Sequence, residues 1–322
     1  MALKAFKLSC LTLLHLVWPA IALSTSASCG QEQDAFTDLE YVNWQRAVDA
    51  YDKGFGPLTS QAVPTLLDRA GFQEAGVLVG GMLKEVGSLL DVACGPGQVL
   101  DAAIALAGSG GAYTALDFSP NFLRLAQERL SAKYPNTPVT LKFALGVAEA
   151  MPLRDNAFDA VTSNFGILHL SDPDAFLAES YRVLKPGGRL AFSAWAPPPA
   201  TEGFDLILGA VNAAGNPNVP LPAGPPFFQY ADPATVRRAL AKAGFVDVDV
   251  TTVDSMEWHV DSADELYEIF LEGTARTREL LRGQTETEAE AVREELRRRF
   301  DARERRGALR MPAVVSSGQK PL

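Results

Sequence analysis

Leu89-Leu90-Asp91-Val92-Ala93-Cys94-Gly95-Pro96-Gly97 is a short apolar run that breaks into a turn of small residues, and QVLDAAIALA at 98–107 follows it. An apolar run of this length, bounded by Gly and Pro, reads as a short strand. The apolar segment after it reads as a helix. Small side chains at 93, 95 and 97 let the backbone approach a ligand closely. The N-terminus of the following helix points its free N–H groups and the positive end of its dipole at the same place, favouring a carboxylate or phosphate. Asp117, 20 residues past Gly97, ends the next apolar run, where a carboxylate can accept hydrogen bonds from ribose hydroxyls.

Working outward, the same rhythm repeats. Strands are expected at 88–92, 112–116, 139–144, 158–163 and 189–195, with a tight turn at Lys185-Pro186-Gly187-Gly188 before the fifth. Between them, Ser119-Pro120 and Asp172-Pro173 each combine a capping side chain with proline at the first helical position. Regular alternation of strands and helices implies right-handed crossovers and a parallel sheet. Later runs at 245–253 and 311–315 bring the strand count to seven. The expected fold is therefore α/β: a doubly wound, mostly parallel, Rossmann-like sheet. Helical additions flank it at 29–87, where Tyr41, Trp44, Val48 and Tyr51 share one face, and at 263–306. A Gly/Pro-rich insertion near 196–230 reads as a lid on the substrate side.

A glycine turn of this kind suits either a dinucleotide or S-adenosylmethionine. The dinucleotide fingerprint places a third glycine three residues after the second. Here that position is Leu100. Asp91 at the strand end would repel a pyrophosphate but suits a sulfonium and an ammonium. The spacing thus favours S-adenosylmethionine over a dinucleotide.

The stretch from about 85 to 196 resembles class I S-adenosylmethionine-dependent methyltransferases, and is similar in particular to the ubiquinone/menaquinone-biosynthesis group. The matching segments are LLDVACGPGQVL, YTALDFSPNFLRLAQERL, GVAEAMPLRDNAFDAVTSNFGILHL and ESYRVLKPGGRLAFSAW. The resemblance implies that Asp91, Ala93, Cys94, Gly95 and Gly97 surround the methionine part of the cofactor. It implies that Asp117 binds the ribose, that Phe118 flanks the adenine, and that Ala148 and Glu149 lie by the adenine edge. Asn164 and Phe165 would line the methyl-transfer site. The family usually has an acidic residue before Ala148; this chain has Val147. Tyr51 either closes over the cofactor or is a core aromatic.

Methyl transfer is an in-line displacement at an activated carbon, so the enzyme chiefly aligns the nucleophile and excludes water. A base is needed only where the nucleophile holds its proton. His169, just after the fourth strand, is the best candidate; Glu257 and His259 are weaker ones. Phe227, Phe228 and Tyr230 suggest a small, fairly hydrophobic acceptor. A nicotinamide-dependent oxidoreductase and a cofactor-binding protein without catalysis remain as alternatives.

The formal net charge of -10 and pI of about 4.9 disfavour a nucleic-acid substrate. Amino-methylating DNA enzymes resemble one another in an Asn/Asp-Pro-Pro-aromatic sequence, where this chain has Asn164-Phe165-Gly166-Ile167. The three histidines are far apart and the three cysteines form no metal pattern, so no metal is expected. Lys4 and Lys7, an apolar run at 8–23 and small residues at 24–28 form a signal-like leader. No other long apolar run suggests a membrane span in the mature chain. The leader points to secretory or organelle targeting, while the supply of S-adenosylmethionine points to the cytoplasm.

Overall fold

A computed structural model describes residues 29–72, 87–106, 110–303 and 307–322. The leader-like segment 1–28 lies outside the described residues. The chain opens with α1 (Cys29–Gly54), α2 (Gly56–Thr59) and α3 (Val63–Arg69). The alternating core follows: β1 (Ser88–Val92), α4 (Gln98–Leu106), β2 (Gly111–Asp117), α5 (Pro120–Lys133), β3 (Val139–Leu145), β4 (Phe158–Ser163), α6 (Pro173–Val183) and β5 (Leu184–Trp195). The C-terminal part comprises α7 (Glu202–Ala214), α8 (Pro233–Lys242), β6 (Val246–Val253), β7 (Glu257–Trp258), α9 (Ala263–Gly273), α10 (Arg276–Arg282), α11 (Glu286–Asp301), β8 (Leu309–Arg310) and β9 (Ala313–Gln319).

The seven-stranded sheet has the order β3-β2-β1-β4-β5-β9-β6. The strands from β1 to β5 pair in parallel, and β9 runs antiparallel between β5 and β6. This is the doubly wound, mostly parallel sheet expected from the alternation. Leu89, Leu90 and Val92 of β1 are fully buried, as a central strand covered on both faces requires. The helix starts follow from their caps. Ser119 Oγ accepts from Phe122 N–H, and Asp172 Oδ1 accepts from Ala175 N–H, with Pro120 and Pro173 next in line.

Two edges of the expectation shift. The turn at 185–188 lies inside β5: Leu184 faces Phe158 and Arg189 faces Ala160, so the intervening residues bulge out. Gly187, at a φ of 77°, makes the bulge, and its N–H donates to Lys320 carbonyl beside it. The last strand begins at Ala313 rather than 311 and runs to Gln319. Ser316 and Ser317 are fully buried in it. Gly318 leaves no room for a side chain, since a Cβ there would stand 2.9 Å from Phe245 Cβ.

The strand order reverses between β1 and β4. The loops after these strands, carrying residues 93–97 and 164–169, therefore meet at the carboxyl edge of the sheet, where doubly wound folds form their binding crevice. Helix α1 lies over that crevice. Among the described residues, no helix is long and apolar enough to cross a membrane.

Candidate active site

The crevice is a cavity of about 430 Å³. Its floor is made by the loops after β1, β2, β3 and β4: Ala93, Gly95, Asp117, Phe118, Val147, Ala148, Glu149, Asn164, Phe165 and His169 all line it. Its roof is the inner face of α1 and α2, with Glu40, Trp44, Tyr51 and Thr59. Its far wall comes from the end of β5, with Trp195, and from the C-terminal part, including Phe204, Phe227, Phe228 and Arg276. Asp91, Cys94 and Gly97, grouped with the cofactor by the resemblance, stand behind the wall rather than in it.

Their reasons differ. A Cβ on Gly97, at a φ of 84°, would stand 3.1 Å from Ala126 Cβ, so its missing side chain lets the turn pack on α5. The Cys94 thiol is buried and its pKa is pushed well up by burial, which leaves it inert. Asp91 is wholly buried; its Oδ1 accepts from Thr162 Oγ1 at 2.9 Å, while Oδ2 has no partner. Burial, with Asp117 nearby, pushes its carboxyl up to about 8.

Gly95 is the position where the backbone meets open space. Its φ is 52°, and nothing lies within 4 Å of where a Cβ would be. Its N–H donates to Asp117 Oδ2 at 2.9 Å, and Ser119 N–H donates to Oδ1 at 2.8 Å. Burial raises the Asp117 carboxyl to about 6 against these N–H donors, which lower it. Neither Asp91 nor Asp117 forms an ion pair with a lysine or arginine among the described residues. Two buried carboxyls without a cation make a site that a positively charged ligand would relieve and a pyrophosphate would not. The residues present thus fit S-adenosylmethionine.

The loop after β4 is tightly specified. Ser193 Oγ accepts from Phe165 N–H at 2.8 Å and donates to Asn164 Oδ1 at 2.7 Å, while Asn164 Nδ2 donates to Thr59 carbonyl at 3.0 Å. Phe165 sits at a φ of 56° with its ring stacked on Trp195, centroids 4.0 Å apart. The Glu149 carboxylate accepts from Ser171 N–H at 3.1 Å, and burial raises its pKa. Val147 stands 40% exposed on the cavity rim. Tyr51 donates to Thr59 Oγ1 at 3.3 Å, and burial pushes its phenol up to about 12, so it stays neutral.

His169 lines the cavity between Trp44 and Phe227, with ring centroids 4.8 and 5.8 Å away. Its Nδ1 lies 3.1 Å from Glu40 Oε2, which also accepts from Trp44 Nε1 at 2.8 Å. Glu40 had no motif to mark it; its signal was a carboxylate four residues before Trp44 on the apolar face of a helix. Ser193, Trp195, Phe204 and Arg276 were also missed, each on an element distant in sequence. Glu257 and His259 lie away from the cavity. Of the aromatic trio near 227–230, Phe227 and Phe228 line it, whereas Tyr230 is buried against Phe192. No group of His, Cys, Asp or Glu among the described residues is arranged to hold a metal.

A family model described as a methyltransferase domain matches residues 90–192. The demethylmenaquinone methyltransferase of Clavibacter sepedonicus is 36% identical over 126 residues, covering 38% of this chain and 48% of its own length. The ubiquinone/menaquinone biosynthesis C-methyltransferase UbiE of Escherichia coli O1:K1 / APEC is 33% identical over 123 residues, 37% of this chain and 47% of its own. The chain spans about half the length of the curated relatives it matches. Among solved structures, the cyclase SpnF superposes with a TM-score of 0.53 at 19% identity, over 90% of this chain and 96% of that one. Phosphoethanolamine N-methyltransferase 2 of Haemonchus contortus, in complex with S-adenosyl-L-methionine, gives 0.50 at 20%, over 89% and 60%. These structures share the fold; a cyclase among them shows that the fold alone does not set the chemistry. Residues 90–192, which carry the glycine loop, Asp117 and Asn164, are a class I methyltransferase domain of the S-adenosylmethionine-dependent kind, related to the quinone-biosynthesis C-methyltransferases.

Proposed function

We propose that this protein transfers a methyl group from S-adenosylmethionine to a small, mostly apolar acceptor. The observation that carries the proposal is the continuity of one cavity. At one end are Gly95 and Asp117, with the open backbone and uncompensated carboxyls suited to the cofactor; at the other is an aromatic chamber of Trp44, Phe204, Phe227 and Phe228 with few polar groups. A pocket that only stored the cofactor would have no need of the second chamber.

S-adenosylmethionine, when bound, supplies a methyl group already activated as a sulfonium. The rest falls to the protein. Asp91, Ala93, Cys94, Gly95 and Gly97 would shape the methionine end. Asp117 would hold the ribose, Phe118 would flank the adenine, and Ala148 and Glu149 would border its edge. Asn164 and Phe165 would stand where the two chambers join. The loop at 215–228 would exclude water, tied down by Asn216 N–H donating to Gln284 Oε1 and Arg276 Nη1 donating to Pro222 carbonyl. The relatives named for quinone biosynthesis, with the flat aromatic walls, support an acceptor with an electron-rich ring.

The test is calorimetric titration of S-adenosylmethionine and NAD, followed by a radiolabelled methyl-transfer screen of phenols and naphthohydroquinones. The expected result is micromolar binding of S-adenosylmethionine only, with label reaching an acceptor. Tighter binding of NAD, or binding without transfer to any acceptor, would overturn the proposal.

A further inference from the structure

Helix α1 carries a buried carboxylate whose position the cofactor site does not explain. Glu40 is 1% exposed and forms no ion pair with a lysine or arginine among the described residues. Burying a carboxylate is costly unless it is hydrogen-bonded and has a charge to meet. Two side chains supply it with donors. Trp44 Nε1 donates to Oε2 at 2.8 Å, and His169 Nδ1 lies 3.1 Å from the same oxygen. Oε1 is buried without a partner.

An ionised carboxylate only accepts hydrogen bonds, so the proton between Glu40 and His169 belongs to Nδ1. That fixes the neutral imidazole as the Nδ1–H tautomer and leaves Nε2 with its lone pair. Nε2 has no hydrogen-bond partner among the described residues, and the ring lines the acceptor chamber. Trp44 and Phe227, packed edge-on against the ring, hold its plane. A base whose tautomer and orientation are set by a buried carboxylate is an arrangement that proton transfer requires, and that simple packing does not.

We infer that Glu40 positions His169 to take a proton from the acceptor, and that the acceptor therefore carries a phenol-type hydroxyl on or conjugated to its nucleophilic atom. The inference rests on the methyl-transfer reading above. As the acceptor's new bond to the methyl carbon forms, the carbon–sulfur bond breaks and its electron pair stays on sulfur. The hydroxyl proton moves to His169 Nε2, giving an imidazolium that faces the Glu40 carboxylate, and then leaves to water. An acceptor whose nucleophile bears no proton, such as a tertiary amine or thioether, would need none of this. Glu40 is a positioning residue; His169 alone meets the acceptor.

Two measurements test it on the whole protein. The first is nitrogen-15 NMR of the histidine rings in their neutral form, without any acceptor, with His259→Gln used for assignment. The expected spectrum shows His169 protonated at Nδ1 and bare at Nε2, and Glu40→Leu releases this preference. A wild-type ring protonated at Nε2 overturns the inference. The second uses a naphthohydroquinone as acceptor. Glu40→Gln keeps the shape but removes the charge; it should lower kcat about 10- to 100-fold while acceptor KM and cofactor affinity stay within about twofold. His169→Gln should lower kcat at least as much, and the double variant should lose little more than His169→Gln alone. An unchanged kcat in Glu40→Gln, or additive losses, overturns the positioning role. If the wild type binds S-adenosylmethionine but methylates nothing, the methyl-transfer reading falls, and the ring spectrum decides the Glu40–His169 pairing without it.

Discussion

Gly95 N–H and Asp117 Oδ2 are joined by a 2.9 Å hydrogen bond, which ties the loop after β1 to the end of β2. Ser119 N–H holds the other carboxylate oxygen at 2.8 Å. Phe118 N–H bonds the same carboxylate, and its two oxygens, with about four lone-pair sites between them, still leave room for a ligand. The carboxylate proposed to hold the ribose is thus already fixed in place, and little ordering remains to be done on binding.

That relationship makes Asp117 unusually intolerant of change. In Asp117→Ala the backbone N–H groups of Gly95, Ser119 and Phe118 lose this acceptor in a buried place, at about 1–3 kcal/mol for each left unpaired. Asp117→Asn rescues only part of this, because the amide nitrogen would face an N–H instead of accepting from it. Both variants should lower Tm and weaken S-adenosylmethionine about 100-fold or more. Asn binding within about twofold of the wild type by calorimetry would refute the account.

The pair of buried carboxyls makes cofactor binding depend on pH. Burial raises Asp117 to about 6 and Asp91 to about 8. Near pH 7, in the free protein, Asp117 is ionised and Asp91 holds its proton. A cation favours the ionised form of both, so binding should release a proton from Asp91 and strengthen as pH rises from about 6 to about 8. The ligand's own amino group titrates at about 7.7–8.0 and works the other way. Comparison with Asp91→Asn removes that common contribution. Calorimetry in buffers of different ionisation enthalpy should show a proton released by the wild type and not by the variant; equal release in both would sink the idea.

The same carboxyl sets a stability trend of opposite sense. Its folded pKa lies above the ordinary unfolded value of 3.8, so the folded chain holds a proton that the unfolded chain has lost between about pH 4 and pH 8. Stability from this group therefore falls as pH rises through that window. Without cofactor, Asp91→Asn should unfold at a higher temperature than the wild type at pH 9, and at nearly the same temperature at pH 5. A thermal scan in which the variant gains nothing at pH 9 would count against a buried, raised Asp91.

The sheet was legible because its signals are local. Ser88–Val92 has the run of apolar residues a central strand needs, and Ser119-Pro120 and Asp172-Pro173 state their helix starts outright. Strand β9 was placed only in part, because Ser316, Ser317 and Gly318 look like loop residues and are buried only because β5 and β6 enclose them. The cofactor end followed the same division. Gly95 and Asp117 lie within one strand–turn–helix unit and its successor. Gly97 packs on α5 and does not itself line the cavity; a glycine that admits a ligand and one that admits a helix look alike in sequence. The aromatic end of the cavity is assembled from α1, β5, α7, α10 and the loop carrying Phe227 and Phe228. Glu40 meets His169 across 129 positions, a distance no local pattern spans.

Gly166 offers a test of how closely the loop after β4 packs on the glycine loop. A Cβ there would stand 2.5 Å from Ser163 Oγ and 2.7 Å from Ala93 Cβ. Ala93 is already in the left-handed region at a φ of 54°, so it cannot yield without moving Gly95. Gly166→Ala should cost about 1–3 kcal/mol of stability and weaken the cofactor. Gly307→Ala, which strains its own backbone at a φ of 117° but has open space around it, should lower stability and leave the cofactor affinity alone. Denaturant unfolding and calorimetry on both variants would check this, and an unperturbed Gly166→Ala would contradict the packing.

Ser193 supports the junction of the two chambers without lining either. Its hydroxyl is wholly buried, accepts from Phe165 N–H and donates to Asn164 Oδ1. These bonds hold Phe165 in a left-handed conformation that a non-glycine residue enters at a cost of about 1–3 kcal/mol. Ser193→Ala leaves a buried N–H without its acceptor and an amide oxygen without its donor, and frees the loop to relax. Stability should fall by about 1–3 kcal/mol, and turnover should fall further than cofactor affinity, because on the proposed reading Asn164 and Phe165 would stand between donor and acceptor. Ser193→Cys, which keeps a weak donor and acceptor in nearly the same volume, should recover part of the stability. A Ser193→Ala variant with native Tm and native kcat would mean that the loop holds its shape without the hydroxyl.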